Sequence, residues 1–320
     1  MDIVKEIGGY LELDTYNMPM MHGDAMAFNS GRSCLAYLIE KKNIKKMRLP
    51  KFLCACVGDI CEQYDVEVNY YQIGKDFLPR EESIGLVSDE WIYIVNYFGQ
   101  MDNSTLKRLK AKYKNIIVDN IQAYFQKPND CIDTIYTCRK FFGVSDGAFL
   151  YSDVEYDVLL ERDYSCERMK HLLGRYEKSA SDFYSDYVKE EEQFEHAPIK
   201  RMSKLTNNLL HGIDYKYVEK KRRENYMYLH QKLRQINELE LKIPVGPYMY
   251  PFYIKNGEKI RKKLKEKKIF IPILWPDVLE LCDEEELEYI MTKNILPLPI
   301  DQRYCIEDME YMVKEILNVV

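Results

Sequence analysis

The chain's 320 residues exceed the span of one comfortable hydrophobic core, so two domains are expected, one large and one small. A net charge of -6 and an isoelectric point near 5.6 give no general attraction to nucleic acid or to an anionic membrane surface. No run approaches the roughly 18 apolar residues of a membrane span, and MDIVKEIGGYLELD lacks the cationic start and apolar core of a secretory signal, so a cytoplasmic protein is expected.

The nine cysteines are scattered and odd in number, and no two CxxC knuckles occur. They read as reduced thiols, with Cys54-x-Cys56 a weak metal candidate. None of the five histidines has zinc-type spacing to another, and no metal is expected.

Residues 1–24 read as a short helix or an arm, with Tyr10, Tyr16 and several methionines available to pack on a second subunit or on the chain's own core. Phe28-Asn29-Ser30-Gly31 is then a small-residue turn opening an amphipathic helix with Leu35, Leu38 and Ile39 on one side. Free N–H groups at such a helix start bind phosphate, and Gly31 admits the anion close to the backbone. Strand and helix patterns alternate from there. Met47–Leu53, Val66–Tyr71 and Trp91–Tyr97 read as strand segments, and Val57–Tyr64 and Ser104–Tyr113 as helices. Such alternation argues for a mostly parallel sheet covered by helices on both faces.

The most informative stretch is Ile116–Leu150. Ile116, Ile117 and Val118 form a buried-strand pattern that delivers Asp119 at its C-terminal end, where ligands approach an open α/β sheet. Gln122 follows three residues later. A second β-type run, Thr134–Thr137, leads to Arg139 and Lys140 and then to the turn-forming Gly143–Gly147. A carboxylate, an amide and an amine at neighbouring strand ends suit pyridoxal phosphate. A lysine holds that cofactor covalently through its aldehyde, while an aspartate keeps the ring nitrogen protonated so that the ring withdraws electrons.

Beyond Leu150 the chain is charged and tyrosine-rich, with helical spacing over 155–195 and a long helix expected at Tyr215–Asn237. A small α+β unit is expected to close the chain, with strands at Pro251–Lys255 and Ile269–Leu274, a helix at Glu258–Lys267 between them and a last helix at Glu307–Leu317. The division is placed at 237, giving units 1–237 and 238–320.

Together these pieces resemble the DegT/DnrJ/EryC1/StrS family of sugar aminotransferases, pyridoxal-phosphate enzymes of fold type I. Asn29-Ser30-Gly31-Arg32-Ser33 is similar to the family's phosphate-binding SGTxAL turn, and Asn96-Tyr97-Phe98-Gly99-Gln100 to its H-x-YG-x strand exit. Asp119-Asn120-Ile121-Gln122-Ala123 resembles DAAQA, whose Asp meets the ring nitrogen and whose Gln sits near the phenolic oxygen. Lys140, 140 minus 119 or 21 positions beyond Asp119, falls where the family keeps its cofactor lysine. Lys200-Arg201-Met202 resembles NYRM, and Leu296-Pro297-Leu298-Pro299 a small-domain signature.

The resemblance implies transfer of an amino group from an amino acid, glutamate, to a nucleotide-linked keto sugar in cell-surface polysaccharide or related biosynthesis, by a homodimer. It makes Lys140 and Asp119 catalytic and Ser30, Gly31, Arg32, Phe52, Gln122 and Thr137 cofactor contacts, with Phe52 as the stacking aromatic. Arg139 and Arg201 are candidates for substrate. Two departures stand out. Ile199 falls where the family has an asparagine reaching the partner's phosphate, and Arg32 replaces a threonine. The alternatives are another reaction on the same cofactor (a dehydratase, epimerase or lyase), or a non-catalytic member that binds a sugar nucleotide.

Overall fold

A computed structural model describes residues 7–85 and 89–320. Strands β1 (Met26–Phe28), β2 (Lys46–Pro50), β3 (Glu67–Tyr71), β4 (Trp91–Val95), β5 (Ile116–Asp119), β6 (Asp133–Thr137) and β7 (Ala148–Tyr151) form one sheet in the order β1-β7-β6-β5-β4-β2-β3. The five strands from β3 to β6 are parallel, and β7 and β1 close one edge antiparallel. The central strands are the apolar runs of the sequence. Ile94, Ile116, Ile117, Val118 and Ile135 have no solvent exposure, as a parallel sheet covered on both faces requires.

Helices α1 (Gly31–Lys42), α2 (Ala55–Gln63), α3 (Glu81–Ile84) and α4 (Asn103–Tyr113) alternate with these strands. Ser30 caps α1 by accepting the Ser33 N–H at 3.1 Å, and Asn43 ends the helix in the left-handed conformation. The buried face of α1 carries Leu35, Leu38 and Ile39, each contributing about 1.5–3 kcal/mol on leaving water.

Helices α5 (Lys170–Glu177), α6 (Tyr184–Glu192), α7 (Lys204–Leu210) and α8 (Tyr215–Leu233) follow the sheet. After them come β8 (Met249–Tyr253), α9 (Gly257–Glu266), α10 (Val278–Leu281), α11 (Leu287–Asn294), β9 (Ile295–Pro299) and α12 (Ile306–Leu317). Strands β8 and β9 pair antiparallel as a second sheet with a core of its own, which takes Tyr226, Leu229 and Leu233 from α8 and Met309, Met312 and Ile316 from α12.

Three sequence expectations are corrected here. Ile269–Leu274 is not a strand: Pro272 has no N–H for a ladder, and Ile269 and Ile271 are buried without pairing. The partner of β8 is instead the proline-containing Ile295–Pro299. Residues 155–164 are irregular, helix beginning with the 3-10 turn Cys166–Met169 that runs into α5, and Tyr215–Asn237 stops being α-helical at Leu233. Of the N-terminal arm, residues 7–18 carry no helix, and Tyr10 and Leu11 are almost fully exposed; residues 1–6 lie outside the described residues.

The segment bearing Lys140 is fastened at Gly147. This glycine has φ +116, its N–H donates to Asn29 O just before α1, and a Cβ there would lie 2.9 Å from Thr206 Cγ2 and 3.2 Å from Cys138 Sγ. We expect Gly147→Ala to cost about 2–4 kcal/mol through strain and overlap. Urea denaturation measures it, and an unchanged midpoint would contradict this account of the turn.

Candidate active site

Because β5 and β6 are parallel, with Asp119 in register with Ile135, their C-terminal ends lie on one edge of the sheet. A cleft of about 1310 Å³ opens there. Asp119 and Lys140 both line it, with Ser30, Gly31, Arg32, Gln122, Thr137 and Arg139. Residues more than a hundred positions apart in sequence thus share one cavity.

Asp119 is held from two sides. Its Oδ1 accepts the Ile121 N–H at 2.7 Å and its Oδ2 accepts the Tyr93 hydroxyl at 3.0 Å. Burial pushes its carboxyl above the usual carboxylate range; the Lys140 charge and these two hydrogen bonds oppose that rise. Lys140 sits in the turn after β6, is exposed toward the cleft, and has its Nζ 5.9 Å from the centre of the Tyr248 ring.

Gln122 is nearly fully buried, and its Oε1 accepts the Phe98 N–H at 2.8 Å. Phe98 adopts φ +52 there, an uncommon conformation for a phenylalanine. The Gln122 NH2 has no hydrogen-bond partner among the described residues, so it is the group that can donate into the cleft.

At the other end, the first N–H groups of α1 have no intrahelical acceptor and carry the positive end of its dipole. Ser30 spends its hydroxyl on the cap, so at this corner the anion-binding groups are the backbone N–H groups and the half-buried Arg32, which makes no ion pair among the described residues. The Thr137 hydroxyl donates weakly to Gly147 O at 3.4 Å.

The fold is shared with many solved structures. Among them are NtdA from Bacillus subtilis with bound cofactor PMP (TM-score 0.66, 13% identity, 92% of this chain and 73% of that one) and a DegT DnrJ EryC1 StrS aminotransferase from Brucella abortus (0.62, 13%, 92% and 85%). A sugar aminotransferase from Micromonospora echinospora is a third (0.61, 12%, 91% and 86%). The chain has the fold of these aminotransferases. No family model and no curated protein matches its sequence.

Within this aminotransferase fold two expected residues lie away from the cleft. Phe52 is buried, its ring packed edge-on at 4.7 Å from Trp275 and its carbonyl accepting the Tyr97 hydroxyl. The chain reverses through bends at 51–53, and the side chains it presents to the cleft are Leu53, Cys54 and Cys56. Arg201 is spent on structure: its backbone bridges Phe28 and Arg162, and its Nε donates to Leu160 O at 2.9 Å. Arg139 lines the cleft but is already paired with Glu191 and stacked 4.4 Å over Phe194. Ile199 packs against the main core.

The sequence reading missed Arg222, which is 2% exposed. Its guanidinium donates to Gln302 Oε1 at 2.9 Å, to Pro247 O and Tyr248 O at 3.1 Å, and to Phe141 O at 3.3 Å, next to Lys140. Burial lowers its pKa to about 10, opposed by the Asp301 charge, so it stays cationic at neutral pH. The signal was present: Arg222 lies four residues after Val218 and four before Tyr226, on the apolar face of α8.

The raised Asp119 carboxyl has a consequence for stability. Between its unfolded value of about 4 and its higher folded value, the folded chain binds more protons than the unfolded one, so stability falls as pH rises through that window. Asparagine keeps an oxygen for the Ile121 N–H and can turn its NH2 to donate to the Tyr93 oxygen, without the charge. The cofactor-free Asp119→Asn chain is therefore expected to be more stable than the parent at pH 7 in urea denaturation, the gain shrinking toward about pH 4. Equal or lower stability at pH 7 would contradict it.

Proposed function

We propose that the chain is a pyridoxal-phosphate-dependent aminotransferase that moves an amino group from an amino acid, glutamate, to a nucleotide-linked keto sugar, in cell-surface polysaccharide or related biosynthesis. The observation that carries the reading is the shared cleft of Asp119 and Lys140 at the ends of adjacent parallel strands, in a fold shared with solved sugar aminotransferases. The donor set fits the cofactor. The N-terminus of α1 with Arg32 and Thr137 offers anion-binding groups for its phosphate, Gln122 an amide donor for its phenolic oxygen, and Asp119 a carboxylate for its ring nitrogen.

When bound, pyridoxal phosphate supplies an aldehyde that condenses with amines and a protonated ring that withdraws electrons from the amine-bearing carbon. Asp119 would keep the proton on the ring nitrogen, from a position fixed by the Ile121 N–H and Tyr93 hydroxyl that hold its two oxygens. Lys140 Nζ is the amine that would hold that aldehyde, and as a free amine it would serve as the base that moves a proton to and from the donor's Cα. Arg222 and Gln302, both donating to Phe141 O, keep the Lys140 turn in place.

We further propose a homodimer in the cytoplasm. The exposed Ile7, Tyr10 and Leu11 of the arm support a second copy as partner, and among the described residues no helix is long and apolar enough to cross a membrane. We keep the division into 1–237 and 238–320, with α8 as the connecting helix whose inner face the smaller unit covers.

Purified with pyridoxal phosphate, the chain is expected to show the visible absorbance of a lysine-bound cofactor, and Lys140→Ala to lose it. Glutamate should bleach that absorbance and a nucleotide-linked keto sugar restore it. No bleaching with any amino acid would exclude transamination, and no absorbance at all would favour a binding protein.

A further inference from the structure

Helices α5 and α6 form a hairpin that walls the cleft with His171, Leu172 and Arg175 from the first helix and Tyr184, Tyr187 and Glu191 from the second. The hairpin is built as a unit. Lys170 pairs with Asp186 at 3.0 Å, and the His171 and Tyr187 rings meet with their centres 5.9 Å apart. The Phe183 ring lies against Gly174, where a Cβ would come within 2.3 Å of it.

Its hold on the rest of the chain is slight. No side chain of residues 170–192 belongs to any of the apolar clusters of the protein, and α5 buries none of its residues. Helix α6 buries only Glu190, whose carboxylate lies 3.3 Å from Arg168 at the hairpin's own base. Met169 and Phe194, at the two ends of the hairpin, are buried and root it. A helical pair with so little apolar contact opens locally at low cost while the core stays folded.

Between those ends one bond crosses to the sheet. Among the described residues, the Arg139 guanidinium donating to Glu191 is the single hydrogen bond from 170–192 to any residue outside 166–195. Arg139 immediately precedes Lys140. Its guanidinium also lies 4.4 Å over the Phe194 ring, with Arg168 at 5.3 Å from the same ring. The hairpin is therefore rooted at its base and tied by Glu191 to the turn that carries Lys140.

We propose that the α5–α6 hairpin is a lid on the cleft and that Glu191 is its latch, so that closing the lid and ordering the Lys140 turn are linked. That the closed lid shields a cofactor reaction from water rests on the function proposed above; the latch itself does not. Linkage makes the effect reciprocal: whatever orders the turn favours the closed lid, and an open lid loosens the turn.

The test is hydrogen exchange read by mass spectrometry on the full cofactor-free chain at pH 7. Residues 170–192 are expected to exchange at least about tenfold faster than α1 and α8. Glu191→Gln weakens the bond to Arg139 and should raise exchange about two- to fivefold in 170–192 and in 138–147 together, leaving α1 and α8 as in the parent. Glu192→Gln, at an exposed neighbour with no ion pair among the described residues, should change neither segment. Exchange of 170–192 as slow as that of α8 overturns the lid. A Glu191→Gln effect that is absent from 138–147, is spread over α1 and α8, or is matched by Glu192→Gln overturns the latch. Pyridoxal phosphate should slow exchange of 138–147 in both the parent and Glu191→Gln, but of 170–192 in the parent alone. Loading, seen as visible absorbance, that leaves 170–192 of the parent unchanged overturns closure over the cofactor. Absence of any absorbance overturns the proposed function instead, and the cofactor-free results still decide the latch.

Discussion

The site depends on a carboxylate kept in a place that disfavours its charge. Asp119 ends a strand whose other residues have no contact with water, and only the Ile121 N–H, the Tyr93 hydroxyl and the facing Lys140 charge make ionisation tolerable there. An isolated carboxylate in such surroundings would cost far more than the two hydrogen bonds return. The parallel sheet imposes that tension by burying the strand on both faces up to Asp119.

The rest of the architecture fixes the turn that carries Lys140 into the same cleft. Gly147 fastens the far end of the 138–147 segment to the start of α1, and Arg222 with Gln302 fastens its middle by donating to Phe141 O. Arg222 also bonds Pro247 O and Tyr248 O at the entry to the second sheet, so one buried guanidinium ties the Lys140 turn to the C-terminal unit. Movement of that unit would be felt at Lys140 through these bonds.

Much of this was legible in the sequence because it rests on short-range pattern. The apolar run before Asp119, the capping turn at Ser30 and the alternation of strand and helix each follow from local rules, and they put eight of the ten expected side chains around one cleft. Phe52 was misread because strand alternation ends at Pro50; the bends at 51–53 then turn its ring into the core and present Cys54 instead. Arg201 was misread because a basic residue in a loop looks available until its Nε is found on Leu160 O. The strand expected at 269–274 had the right apolar content but no ladder to join, since β9 already pairs with β8. Arg222 needed only the helical face to be read through a charged residue.

The central claim is that Lys140 is the one amine that carries the cofactor opposite Asp119. Borohydride reduction of the pyridoxal-phosphate-loaded chain, followed by peptide mass mapping, tests it directly. The account predicts a phosphopyridoxyl group on the peptide containing Lys140 and on no other lysine at comparable yield. Label spread over surface lysines, or fixed elsewhere with Lys140 unmodified, would contradict it.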